Sequence, residues 1–186
     1  MLIFAGVLTL VVTKAMDAVP PSISQQSSTL ASGPEVVDKP AADQTFGFCP
    51  AKPSAASMPL RWGADAGTAD HICCNNHRWA EYSGYWLTTS FPKTLNAGET
   101  ITFYDVVSGL PLFRAPVGRT WADFYMESQH HGWPSFRDEE IFPENVLVLP
   151  DGETVSVNRT HLGHNLPDFK GNRYCINIVC VAAPAP

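Results

Sequence analysis

The stretch from about Asp17 to Met58 sets the first limit on folding. "VPPSISQQSSTLASGPEVVDKPAAD" is rich in Ser, Ala, Pro and Gln and carries few large apolar side chains. Such a segment buries too little apolar surface to offset the entropy of ordering it. A core must therefore come from the chain beyond about Leu60, where aromatic and β-branched residues recur. The expected organisation is a signal or targeting segment at 1–18, a low-complexity tail or linker at 19–58, and a β domain at 59–186. The first segment begins "MLIFAGVLTLVV", an apolar run too short for a membrane span but of the length of a signal-peptide core. It lacks a basic start, and "AMDA" is a poor cleavage signal. The expected location is secretory or organellar, with cytoplasmic as the alternative.

Composition sharpens the fold class. With 16 Pro and 13 Gly, the chain suits a loop-rich β domain better than a helix bundle. Twelve Lys and Arg are scattered without a run and the formal net charge is −6, so nucleic acid is not an expected partner. No internal repeat is visible. "ETITFYDVV" (99–107) and "LPLFRAP" read as two strands joined at Ser108-Gly109. "NVLVLPDGETVSV" reads as a hairpin turning at Pro150-Asp151-Gly152, and "RYCINIVCV" (173–181) as the last strand. Thr120 lies three residues before Asp123, a capping-box pattern, and Trp121, Phe124, Tyr125 and Ser128 recur at helical spacing. These elements predict a mainly β fold: two antiparallel sheets with short peripheral helices.

Five cysteines are present, Cys49, Cys73, Cys74, Cys175 and Cys180, and no C-x-x-C. An odd number leaves at least one thiol over, and the spacing does not suit zinc. Alternation along the last strand puts Arg173, Cys175 and Asn177 on one face and Tyr174, Ile176, Ile178 and Cys180 on the other. The second face belongs to a core, so Cys180 reads as a buried, inert thiol. The first is polar at three successive positions. An arginine two residues from Cys175 would favour its thiolate, the nucleophilic form. On residue types alone, Cys175 could equally be another core cysteine.

Histidines cluster nearby. His161 and His164 flank Gly163, a residue that would allow a tight turn aiming both rings one way, and Asp168 follows. Two histidines and a carboxylate fit a metal triad, or an acid/base group with its orienting carboxylate. His130 and His131 form a second pair before "GWPSF". In that motif Trp133, between Gly and Pro, reads as a core tryptophan or as an aromatic wall for a small apolar or sulfur-bearing group.

"SGLPLF", "HHGWPSF" and "THLGHNLPDFKGNRYCINIV" stand in that order along the chain. Together they resemble the methionine-R-sulfoxide reductases (the B-type enzymes) over roughly Thr102 to Val181. The resemblance implies two antiparallel sheets with short helices, and Cys175 as the nucleophile. It implies that Trp133, with Phe136 of the same motif, holds the substrate's methyl group. His161 and His164 would bind and protonate around the sulfoxide oxygen, while Asp168, Arg173 and Asn177 complete a polar pocket. The substrate would be methionine sulfoxide, free or in proteins, reduced through a cysteine sulfenic acid. No bound cofactor is expected, only an external thiol reductant of the thioredoxin or glutathione type. A monomer without a stable membrane span is expected.

The chain departs from the family pattern in two places. Many members carry two C-x-x-C pairs for structural zinc; here those positions read Asp105, Ser108, Ser156 and Arg159, so no zinc is expected. Many place a resolving cysteine before "GWPSF", where this chain has His131. Cys73 and Cys74, in an upstream segment read as flexible, are the replacement candidates. Two other readings stand beside the reductase: a non-catalytic ligand- or partner-binding module on the same fold, and a metal enzyme built on His130, His131, His161 and His164.

Overall fold

A computed structural model describes residues 33–34, 59–75, 77–96 and 98–186. The segments expected at 1–18 and 19–58 lie almost wholly outside the described residues. Two antiparallel sheets form. The smaller pairs β1 (Ile101–Tyr104) with β2 (Pro111–Ala115), in the register Phe103↔Phe113. The larger has five strands: β3 (Ser135–Phe136), β4 (Val146–Val148), β5 (Glu153–Ser156), β6 (His161–Asn165) and β7 (Tyr174–Ile176). Their order is β3-β7-β6-β5-β4, so the last strand in sequence sits between the first and fourth of this sheet.

Aromatic packing joins the two sheets. Phe136 of β3 stacks on Phe113 of β2, with ring centroids 4.5 Å apart, and meets Phe103 of β1 edge-on at 4.9 Å. Such pairs add roughly 0.5–1.5 kcal/mol each beyond the area they bury. Phe124 joins this cluster from a helix, Trp121–His131. The helix begins as its sequence predicts, with a reciprocal capping box between Thr120 and Asp123, and ends at Gly132 in the left-handed region. Two shorter helices precede it, giving α1 (Ala66–Ile72), α2 (Tyr85–Thr88) and α3 (Trp121–His131). No helix among the described residues is long and apolar enough to cross a membrane.

Three elements differ from their sequence-based expectation. The strand expected over 99–107 is confined to β1, because the Asp105 carboxylate turns the chain by accepting from Val107 N–H and Ser108 Oγ. "HLGHN" is a strand, β6, rather than a tight turn. The last strand stops at Ile176. The chain then coils into a 3-10 turn at Ile178–Val181, with Cys180 N–H donating to Asn177 C=O, and its four residues are buried.

Cys180 is buried as expected, yet it is no free thiol: it forms a disulfide with Cys73 at the end of α1. The segment around Cys73 is therefore anchored. It is tied again where His161 N–H donates to Cys73 C=O at 2.8 Å.

Candidate functional site

Strand pairing assembles the site. Cys175 on β7 lies opposite Ser135 of β3 on one side and His164 of β6 on the other. Gly163 permits the second pairing: a Cβ there would overlap the carbonyl oxygen of Cys175. Beside this junction is a cleft of about 180 Å³, lined by Ala80, Trp133, Gly163, His164, Leu166, Cys175 and Asn177. Cys175, Trp133, His164 and Asn177 are thus brought together from three separate parts of the sequence.

Cys175 is the free cysteine among the described residues, and 8% of it is exposed. Arg173 Nη1 donates to its sulfur at 2.6 Å, and Ser135 Oγ lies 3.7 Å away. Burial pushes the thiol's pKa up; Ser135 and Arg173 pull it back without cancelling the rise. The sequence leads one to expect a thiolate beside Arg173. Desolvation in the wall of the cleft outweighs the guanidinium, so the resting group is a thiol.

Asp168 anchors this pair. Its carboxylate receives two hydrogen bonds from Arg137, at 3.0 and 2.8 Å, and lies 3.3 Å from Arg173 Nε. The Arg137 hydrogen bonds hold its pKa well below the usual carboxylate range. Arg173 Nε forms an ion pair there but no aligned hydrogen bond. Arg137 continues to Glu127, which also binds Arg119, which reaches Glu140. Asp168 is absent from the cleft lining and acts through Arg173. No sequence signal marks Arg137, Glu127 or Arg119, because their link depends on where α3 packs.

The two histidines divide. In a regular strand, positions 161 and 164 would face opposite sides. β6 carries a bulge: Thr154 pairs with Gly163 and Val155 with His161, leaving Leu162 extra. The rings consequently approach to 5.8 Å between centroids. His164 lines the cleft, and burial together with nearby His161 lowers its pKa, which keeps it neutral near pH 7. His161 is only 1% exposed and does not line the cleft. Its Nδ1 is 3.0 Å from Glu153 Oε1, while its Nε2 has no partner.

Glu153 is the residue that sequence reasoning missed. It is wholly buried and also contacts His77, 3.1 Å from its Nδ1. Burial alone would raise its pKa; hydrogen bonds from His161 and His77 overcome that and lower it to about 2. An anionic Glu153 fixes the His161 tautomer with the proton on Nδ1. Only the odd placement of an acid in an apolar hairpin strand could have hinted at it.

Phe136 does not belong with the site. Register places it opposite Tyr174, in the aromatic core, with none of its surface exposed. Cys73 and Cys74 offer no thiol either. Cys73 is joined to Cys180 and Cys74 is also disulfide-bonded.

His130 and His131 stand at the end of α3, where their rings meet edge-on, 4.7 Å between centroids. The four-histidine metal site is not assembled. Among the described residues, the cluster with ligand atoms close enough to share an ion is His77, Asp151 and Glu153.

The positions where the resemblance implies zinc thiolates do meet at one corner. Asp105 accepts from Ser108 Oγ at 2.7 Å and from Thr160 Oγ1 at 2.8 Å. Thr160 N–H in turn donates to Ser156 Oγ, and Arg159 N–H to Ser156 C=O. One carboxylate, two hydroxyls and an arginine are not the soft, tetrahedral donor set zinc prefers, and they do not fit the ion. Hydrogen bonds instead link the β1–β2 turn to the β5–β6 turn. No family model, no curated protein and no solved structure matches this chain.

Proposed function

We propose that this chain reduces methionine-R-sulfoxide through Cys175. The observation that carries the reading is the one thiol free among the described residues, held by Arg173 at 2.6 Å, in a small cleft with Trp133, His164 and Asn177. The resemblance assigns those residues to one pocket from sequence order alone, and strand pairing supports it. The meeting of Asp105, Ser108 and Ser156 at one corner, joined through Thr160, is consistent with the resemblance, which aligns these positions as a cluster.

The methyl group of the substrate rests on the Trp133 indole, whose Nε1 is fixed by Glu81 C=O at 3.2 Å. The sulfoxide oxygen accepts a hydrogen bond from the neutral His164 ring, which makes the sulfur more electrophilic. Cys175 sulfur attacks as its proton leaves. Oxygen passes from substrate sulfur to cysteine sulfur, the proton ends on that oxygen, and methionine departs, leaving a sulfenic acid. Arg173 stabilises the negative charge that builds on sulfur during attack. An external thiol then forms a mixed disulfide with Cys175, releasing water, and a second external thiol regenerates Cys175. Disulfides at Cys73, Cys74 and Cys180 favour such an external route, and also favour an oxidising compartment.

The test is an epimer-resolved sulfoxide assay with dithiothreitol and, in parallel, thioredoxin. Turnover of the R epimer, abolished in Cys175→Ser, is the expected result; equal activity in Cys175→Ser and the parent eliminates the mechanism. A second reading, a binding module on the same scaffold, is favoured by the raised pKa of the thiol. It predicts binding of methyl sulfoxides with no turnover of either epimer under dithiothreitol.

A further inference from the structure

Glu81 is buried behind the cleft, next in sequence to Ala80 of its lining, with only 4% exposed, although it is an acid that no part of the chemistry above consumes. Its backbone touches two residues of the cleft. The N–H donates to Asn177 Oδ1 at 3.0 Å, and the C=O accepts from Trp133 Nε1 at 3.2 Å. Asn177 Nδ2 meanwhile donates to Leu162 C=O, so the carboxamide is held at both ends. The side chain of Glu81 reaches across to the 3-10 turn that follows Asn177, where Oε1 accepts from Val179 N–H at 2.6 Å. Its second oxygen, Oε2, has no partner. Next along the chain, Gly84 N–H donates to Gly132 C=O, so the same segment is pinned beside Trp133 as well.

We propose that Glu81 is a positioning residue: its buried carboxyl fastens the segment whose backbone orients Trp133 and Asn177, and it does so in the neutral, protonated form. Geometry gives the reason. An ionised carboxylate with one unpartnered oxygen in this setting would carry an uncompensated charge, whereas the neutral acid leaves only one uncharged hydroxyl without a partner, a much smaller cost. Among the described residues no cation pairs with it. The titratable groups around it are Tyr82 on its own segment, Tyr85 on α2, and Asp65 and His71, which share a cavity with it. The 3-10 turn presents backbone N–H groups and the bonded Cys180. In agreement, burial raises the carboxyl's pKa to about 8, even though N–H groups of Val179 and Ile178 pull it down.

The sign of the effect follows. A group with a folded pKa near 8 and an ordinary value of 4.5 contributes stability to the folded segment that is fully present below pH 4.5 and is lost as pH rises through about 8. Above about pH 8 the carboxyl ionises, its segment loosens, and Trp133 and Asn177 lose their orientation.

The experiment compares the full chain with Glu81→Gln and Glu81→Ala between pH 6 and pH 9.5. Its first readout is the NMR signals of the Trp133 indole N–H and the Asn177 side-chain amide. In the parent both signals should move to solvent-like positions through pH 8. In Glu81→Gln, which keeps an acceptor for Val179 N–H but cannot ionise, they should stay in place. The second readout, kcat/KM for the R-sulfoxide, rests on the reductase reading. Glu81→Ala should lose at least tenfold, Glu81→Gln should recover most of that loss at pH 6 to 7, and the ratio of Glu81→Gln to parent should rise above pH 8. Signals in the parent that ignore pH, or shift identically in Glu81→Gln, overturn the proposal even if Glu81→Ala fails to fold. Absence of turnover in the parent overturns the reductase reading and leaves the NMR result to decide the role of Glu81.

Discussion

The guanidinium of Arg173 stands 2.6 Å from the sulfur of Cys175, two residues further along the chain. Its other edge is drawn toward Asp168, which Arg137 grips from the far side. The charge beside the thiol is thus held by a chain of ion pairs leading back to α3.

Replacing Arg173 with Leu removes one of the forces that lower the thiol's pKa and leaves desolvation unopposed by charge. Alkylation of Cys175 by iodoacetamide should slow by roughly an order of magnitude near pH 8, because the thiolate is the reacting form. An unchanged alkylation profile would show that the contact has no electrostatic effect. Arg173→Lys should restore little, since a point charge cannot serve both Asp168 and the sulfur.

Gly163→Ala tests the seam between β6 and β7. The new methyl would meet the Cys175 carbonyl, which belongs to the backbone and cannot swing aside. A loss of about 2–4 kcal/mol is expected by urea unfolding, from overlap and backbone strain. A loss below roughly half a kilocalorie would mean the strands separate easily there.

The Cys73–Cys180 disulfide closes a sequence separation of 107 residues. Changing both cysteines to Ser should cost about 2–4 kcal/mol of stability, chiefly by freeing the unfolded chain. Both sulfurs belong to residues with no exposed surface, so mild reductant should leave the bond intact in the folded protein. Mass spectrometry after thiol blocking, with and without dithiothreitol, reads the outcome directly.

Glu153 predicts the acid limb of the stability curve. Its pKa falls from an ordinary 4.5 to about 2 because His161 and His77 hydrogen-bond it against the cost of burial. A depressed carboxylate contributes stability above pH 4.5 that disappears as pH drops toward 2. The shift corresponds to about 3 kcal/mol. Glu153→Gln should flatten this limb in acid titrations followed by circular dichroism, and should slow turnover by disturbing the His161 tautomer. An unchanged acid limb would contradict the assignment.

Local order in the sequence determined much of the fold. Strand-length runs of β-branched and aromatic residues, the Pro150-Asp151-Gly152 turn and the Thr120–Asp123 capping box each fix a short piece of chain by contacts within a few residues. Alternation along the last strand likewise placed Arg173, Cys175 and Asn177 on one face, and the first two are in contact.

Tertiary structure decided what period alone could not. A single-residue bulge in β6 turned His161 and His164 to the same side, and pairing with β5 brought Glu153 under the first of them. Strand register sent Phe136 into the core, though it is a near neighbour of Trp133 in sequence. The 3-10 turn and its disulfide overrode an apolar pattern that would otherwise have continued the strand. The state of the Cys175 thiol also depended on the assembled molecule. A charge two residues away is visible in the sequence, but the desolvation that outweighs it exists only after distant segments close around the sulfur.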